Sequence, residues 1–80
     1  MLEEGTVVKL GDLYEFIVVF STMFNDSNYV FVTKTDEPEL SFFYKNNNDG
    51  KLELVEDMYT ILALFSLYKE KTKNEKVVNE

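Results

Sequence analysis

Along the first fifty-five positions, apolar residues recur mainly at period two, which is the spacing of β-strands. Thr6 to Leu10 is a short β-prone segment ended by Gly11-Asp12, and it reads as an edge strand. Leu13 to Phe20 is the strongest strand signal. Tyr14, Phe16, Val18 and Phe20 fall on one face, and Leu13, Glu15, Ile17 and Val19 on the other. A polar stretch from Ser21 to Ser27 suits a hairpin connection, after which Asn28 to Lys34 resumes as strand with Val30 and Val32 opposite Tyr29 and Phe31. Pro38 lacks a ladder donor and breaks the pattern within Asp36-Glu37-Pro38-Glu39. Leu40 to Tyr44 is the next strand, and Asn46 to Gly50 is a turn whose residues tolerate positive φ. Lys51 to Val55 returns.

After Val55 the period changes to about 3.6, with Met58, Ile61, Leu62, Phe65 and Tyr68 in one stripe that Leu64 and Leu67 widen. Asp57 is the expected N-cap, and Lys69, Lys71 and Lys73 complement the negative end of the helix dipole. A helix of about fifteen residues at ~1.5 Å per residue matches the length of a seven-residue strand, so one helix covers one sheet face. The predicted architecture is α+β: an antiparallel β-meander of four to five strands with one C-terminal α-helix packed on one sheet face. Residues 1–71 form a single domain, and 72–80 read as a frayed charged tail.

Composition narrows the chemistry. The 80 residues contain no Cys, His, Trp or Arg, so Ser-His-Asp and Cys-His nucleophiles cannot be assembled. The three glycines are scattered, leaving no Gly-rich phosphate cradle. Carboxylate pairs such as Asp36 with Glu39, or Glu56 with Asp57, fall in turns or at a helix start, where nothing separates their pKa values for acid and base roles. Aligning Gly50 with the invariant glycine of an EF-hand loop puts Asn47, Asp49, Glu53 and Glu56 at ligand positions, but the first ligand position falls on Lys45. That segment reads as a plain hairpin. Asn25-Asp26-Ser27 fits the glycosylation triplet, yet the acidic start Met1-Leu2-Glu3-Glu4 is unlike a secretory signal. No catalytic residue, cofactor or metal is expected, and the chain reads as a soluble cytoplasmic protein.

Fifteen acidic residues against eight Lys give a net charge of -7, which disfavours direct contact with nucleic acid or anionic membranes. The excess is uneven: residues 1–44 carry eight acids and two Lys, net -6, whereas 45–80 carry seven acids and six Lys, net -1. Asp36, Glu37 and Glu39 form a candidate acidic face. Apolar residues make up 45% of the chain, and one helix leaves one sheet face uncovered, so Ile17, Val19 and Phe43, with Val30 and Val32, form a candidate partner surface.

The strand Tyr14 to Phe20, the strand Asn28 to Val32, the acidic Asp36-Glu37, the Leu40 to Tyr44 strand, the Asn-Asp-Gly turn, Lys51 to Asp57 and a final helix together resemble the YrzB-like family of short acidic bacterial proteins. The resemblance covers about residues 11 to 70. It is one of element order and composition, with fewer acids before the helix and a more apolar helix than that family has. The family is a domain of unknown function, so the resemblance implies neither a reaction nor a ligand. The expected function is a small non-enzymatic interaction module that binds a protein partner or itself through an apolar sheet or helix surface. The competing expectation is an acidic mimic of nucleic acid that occupies a basic site on a nucleic-acid-binding protein; an enzyme using carboxylates alone is the third.

Overall fold

A computed structural model describes residues 1–11 and 14–78, with side chains as far as Lys73. Asp12 and Leu13, the predicted end of a turn and start of the strongest strand, lie outside the described residues. The elements are β1 (Val7–Leu10), β2 (Tyr14–Phe24), β3 (Ser27–Lys34), β4 (Glu37–Asn46), β5 (Leu52–Leu54) and α1 (Met58–Val78). All five strands pair antiparallel with their sequence neighbours in one sheet of order β1-β2-β3-β4-β5. The predicted α+β meander with a C-terminal helix is what the chain forms. The Thr6 to Leu10 segment takes the edge beside β2, with Val7 opposite Ile17 and Leu10 opposite Tyr14. Val18 N–H donates to Thr6 O at 2.8 Å, extending this pairing toward the N-terminus.

The turns follow their residue chemistry. Asn25 and Asp26 both have positive φ, 50° and 63°, which gives a two-residue turn whose twist matches the strands it joins. β2 therefore runs on to Phe24, and the polar stretch expected as a loop is mostly strand. Between β4 and β5, Gly50 has φ 84° and donates its N–H to Asn47 O at 3.0 Å, while Asp49 Oδ1 accepts from Lys51 N–H at 3.0 Å. At the helix start, Asp57 Oδ2 accepts from Thr60 N–H at 2.9 Å and from Thr60 Oγ1 at 2.7 Å, so the N-cap sits where the sequence puts it. Helix is present to Val78, across most of the span expected to fray.

A β-bulge decides the packing. Val18 pairs with Val32, but the next partner of β3, Phe31, faces Phe20, so Val19 is an extra residue without an opposite number. A one-residue slip moves every later side chain to the other face. Phe16 and Val18 remain with Val30 and Val32, whereas Phe20 joins Phe31 and Phe43. Phe16, Val18, Val30 and Val32 make a buried inner cluster against which Leu2, Val8, Leu10, Tyr44 and Leu52 pack. These covering residues come from the N-terminal segment and the outer strands, so the sheet curls over its own inner face.

The helix lies on the other face. Phe20 meets Tyr68 edge-on at 5.5 Å between centroids, Phe31 lies 5.1 Å from Tyr68, and Phe43 lies 6.4 Å from Phe65. Leu64 is fully buried. The sequence-based face assignment is thus corrected: α1 covers the face that carries Ile17 and Phe43, and curling of the sheet covers Phe16, Val18, Val30 and Val32. No helix among the described residues is long and apolar enough to cross a membrane.

Candidate interaction surface

Helical geometry aims Ile61, Leu64 and Tyr68 at the sheet, which leaves Met58, Tyr59 and Leu62 on the outer side. Tyr59 is 85% exposed, Met58 64% and Leu62 55%, and the stripe continues onto Phe65, whose ring is half in contact with the sheet. At the edge of the sheet Leu54, Phe42 and Leu40 are also partly exposed, with Phe42 turned to the Phe16 face. The run of Met58, Tyr59, Leu62 and Phe65 along one side of a helix marks a contact surface more readily than scattered single residues would.

Besides its ring contacts with the sheet, the helix is tied to the N-terminal segment by one lysine. Lys71 pairs with Glu4 and stands 5.5 Å above the Phe20 ring, linking α1 to the N-terminal segment. Lys69 covers the Phe65 ring at 4.8 Å. Asp57 is held below the usual carboxylate range by the Thr60 hydroxyl and then by the Thr60 N–H, which keeps the cap ionised at the positive end of the helix.

Beside the stripe, α1 and β4 enclose an apolar groove of about 290 Å³, lined by Phe31, Phe43, Leu54, Val55, Ile61 and Phe65 with Ser41 and Phe42. The strand along this groove is only partly paired. β5 matches Tyr44, Lys45 and Asn46, and Val55 N–H donates to Phe43 O at 3.0 Å before the chain leaves for the helix. Among the described residues no strand pairs with the outer side of β4 before Phe43.

The expected partner surface is not assembled as an open patch. Phe43 is buried under α1 and stacked on Phe31, with centroids 4.4 Å apart. Ile17 is half-buried between Val7 and Thr33, and Val19 is the half-buried bulge residue. Val30 and Val32 lie fully buried on the opposite face. The residues that sequence reading missed are Tyr59 and the outward aim of Met58 and Leu62. Their signal was present, since between Met58 and Tyr68 only Thr60 and Ser66 are polar, and a helix that is apolar all round cannot hide every side against one sheet.

Asp36 and Glu37 do come together, with Lys34 between them. Lys34 Nζ lies 2.6 Å from Glu37 Oε1 and 2.9 Å from Asp36 Oδ1, and 5.3 Å from the Tyr14 ring centroid. Hydrogen bonds to Glu37 and Asp36 hold the Lys34 ammonium above its usual range, and Lys34 holds Asp36 below its own. Glu39 stands exposed on β4. Two of the three acids are therefore neutralised by one lysine, short of the row of free carboxylates that nucleic-acid mimicry requires.

At the far end of the sheet, Asn28 is buried and organises a polar cluster. Its Oδ1 accepts from Leu2 N–H at 3.2 Å and Asn46 Nδ2 at 3.0 Å, and its Nδ2 donates to Ser21 Oγ at 3.0 Å and Thr22 O at 3.1 Å. An open hollow of about 540 Å³ beside it is lined mainly by Asp26, Ser27, Asn46, Asn47 and Lys45. Every buried side-chain polar atom described has a partner, which fits a structural role for this cluster.

Comparison with protein-family models, with curated proteins and with solved structures gives no match to this chain. The resemblance to the YrzB-like family thus rests on element order and composition alone.

Proposed function

We propose that the protein is a small non-enzymatic interaction module that docks on another protein through the outer side of α1 and the adjoining edge of β4 and β5. The observation that carries this reading is the exposed stripe of Met58, Tyr59 and Leu62, which adjoins Phe65 on the helix, a residue that lines one groove with Leu54. Burying such side chains contributes about 25 cal/mol per Å² of apolar area, and aromatic residues concentrate binding energy at interfaces. The net charge of -7 on every copy opposes self-association and favours a partner of different composition.

Affinity capture from the protein's own host with the unaltered chain and with a Tyr59→Glu/Leu62→Glu variant tests this reading. One specific protein should be retained by the first and lost by the second while the two circular-dichroism melts coincide. Equal retention by both, or a specific complex that instead depends on Ile17, overturns it. A concentration-dependent dimer in sedimentation that the double variant abolishes would replace the partner with a second copy.

A further inference from the structure

We infer that the open stretch of β4 is a strand-addition site for an extended, cationic segment of a partner protein, with one bulky apolar side chain seated in the groove between β4 and α1. The inference rests on the interaction-module reading and goes further by naming the mode and the chemistry of the partner. Three observations lead to it.

The first is main-chain direction. In an antiparallel strand, alternate residues aim their N–H and C=O groups to opposite sides. Phe43 O accepts from Val55 N–H, so Phe43 and, two residues earlier, Ser41 point their main-chain groups away from β3. β5 has already ended there. The register shift between Thr33 and Lys34 gathers Pro38 to Leu40 into a bulge, so the slot is bounded by that bulge at one end and by Val55 at the other. Pro38 and the acids beside it guard the upstream edge against indiscriminate pairing.

The second is the groove. Ser41 is a small residue whose hydroxyl is turned inward to Thr33 Oγ1 and Pro38 O, both at 2.9 Å, and space is left between it and Phe65. A volume of about 290 Å³ is at the lower bound for small-molecule sites and suits one leucine- or phenylalanine-sized group. A residue added opposite Ser41 would aim its side chain there, as alternate side chains do in strand addition.

The third is charge. Glu39 flanks one end of the slot, and Glu53, Glu56 and Asp57 flank the other, while Asp36 and Glu37 are taken up by Lys34. Lysine or arginine on either side of the apolar anchor complements both ends. A second copy of this chain would bring more carboxylates instead.

Titration of the full chain with a fluorescent peptide of about six residues, alternating lysine with valine and phenylalanine, tests the inference. Binding should slow hydrogen exchange at the Ser41 and Phe43 amides, shift the Phe65 ring signals, and weaken with salt. A glutamate-for-lysine peptide, and one N-methylated where it faces Ser41, should each bind roughly tenfold or more weakly. Ser41→Pro removes the donor, and Ser41→Trp fills the groove while keeping it; whichever folds should lower affinity by about tenfold or more. No binding at millimolar peptide overturns the inference. Shifts confined to Tyr59 and Leu62 overturn strand addition yet leave the interaction module standing, and pairing of β4 with β4 of a second copy overturns the assigned occupant.

Discussion

Phe31 on β3 and Phe43 on β4 stack across the sheet with ring centroids 4.4 Å apart and planes 27° from parallel, and Phe65 of α1 rests against both. This cluster joins the helix to the sheet. Phe43→Ala should destabilise the chain by roughly 3 to 5 kcal/mol, a large part of the stability of about 4 to 12 kcal/mol expected for 80 residues. Urea denaturation should show a midpoint shifted to much lower denaturant with the slope unchanged. A loss below about 1 kcal/mol would mean that the helix is not anchored there.

The bulge at Val19 is the step at which β2 passes from the inner apolar layer to the helix side. Deleting Val19 would place Phe20 directly after Val18, so Phe20 would still face the helix opposite Phe31 and only the bulge and its bend would be lost. The deletion and Val19→Ala should both retain one cooperative transition in a thermal melt; loss of cooperativity in the deletion alone would show that the bend at the bulge is itself needed.

Asp57 and Asp36 titrate below their usual range in the folded chain, Asp57 through Thr60 and Asp36 through Lys34. A depressed folded pKa contributes stability above the unfolded pKa and loses it as pH falls through the folded one. Melting temperature should therefore fall between about pH 5 and pH 2. Asp57→Ala should flatten part of that slope and lower the melting temperature at pH 7 by a few degrees, on the order of 4 to 8 °C. The opposite sign applies to Lys34, whose raised pKa gives a contribution that persists through neutral pH and is lost only in strong alkali.

Asn28→Ala leaves Leu2 N–H and Asn46 Nδ2 without their acceptor. A cost of about 1 to 3 kcal/mol is expected, with faster exchange of the Leu2 amide as the local signature. Unchanged exchange at Leu2 would show that the N-terminal segment is held by its apolar contacts instead.

Much of this fold was legible from local chemistry. Asp57 names the helix start, Asn47 to Gly50 names a hairpin, and the period-two run of Tyr29 to Val32 names a central strand. The bulge was not legible, because Phe16, Ile17, Val18, Val19 and Phe20 are all apolar, and a register slip within such a run puts no polar residue on the wrong face. The consequence spread: with Phe20 assigned to the inner face, the helix was expected on the face of Phe16 and Val18, and Phe43 was expected to be open. The buried Asn28 cluster escaped for a different reason, since Asn46 and Ser21 meet it only through the strand register and Leu2 reaches it from the N-terminal segment.

The partition of apolar residues can be read directly from solvent paramagnetic relaxation by an inert soluble probe on the isotope-labelled chain. The fold described here predicts strong broadening at Tyr59, Met58, Leu62 and Leu54, with Phe43, Val30, Val32 and Leu64 protected. Strong broadening at Phe43 and Ile17, with Tyr59 and Leu62 protected, would place the helix on the other face of the sheet and contradict the account.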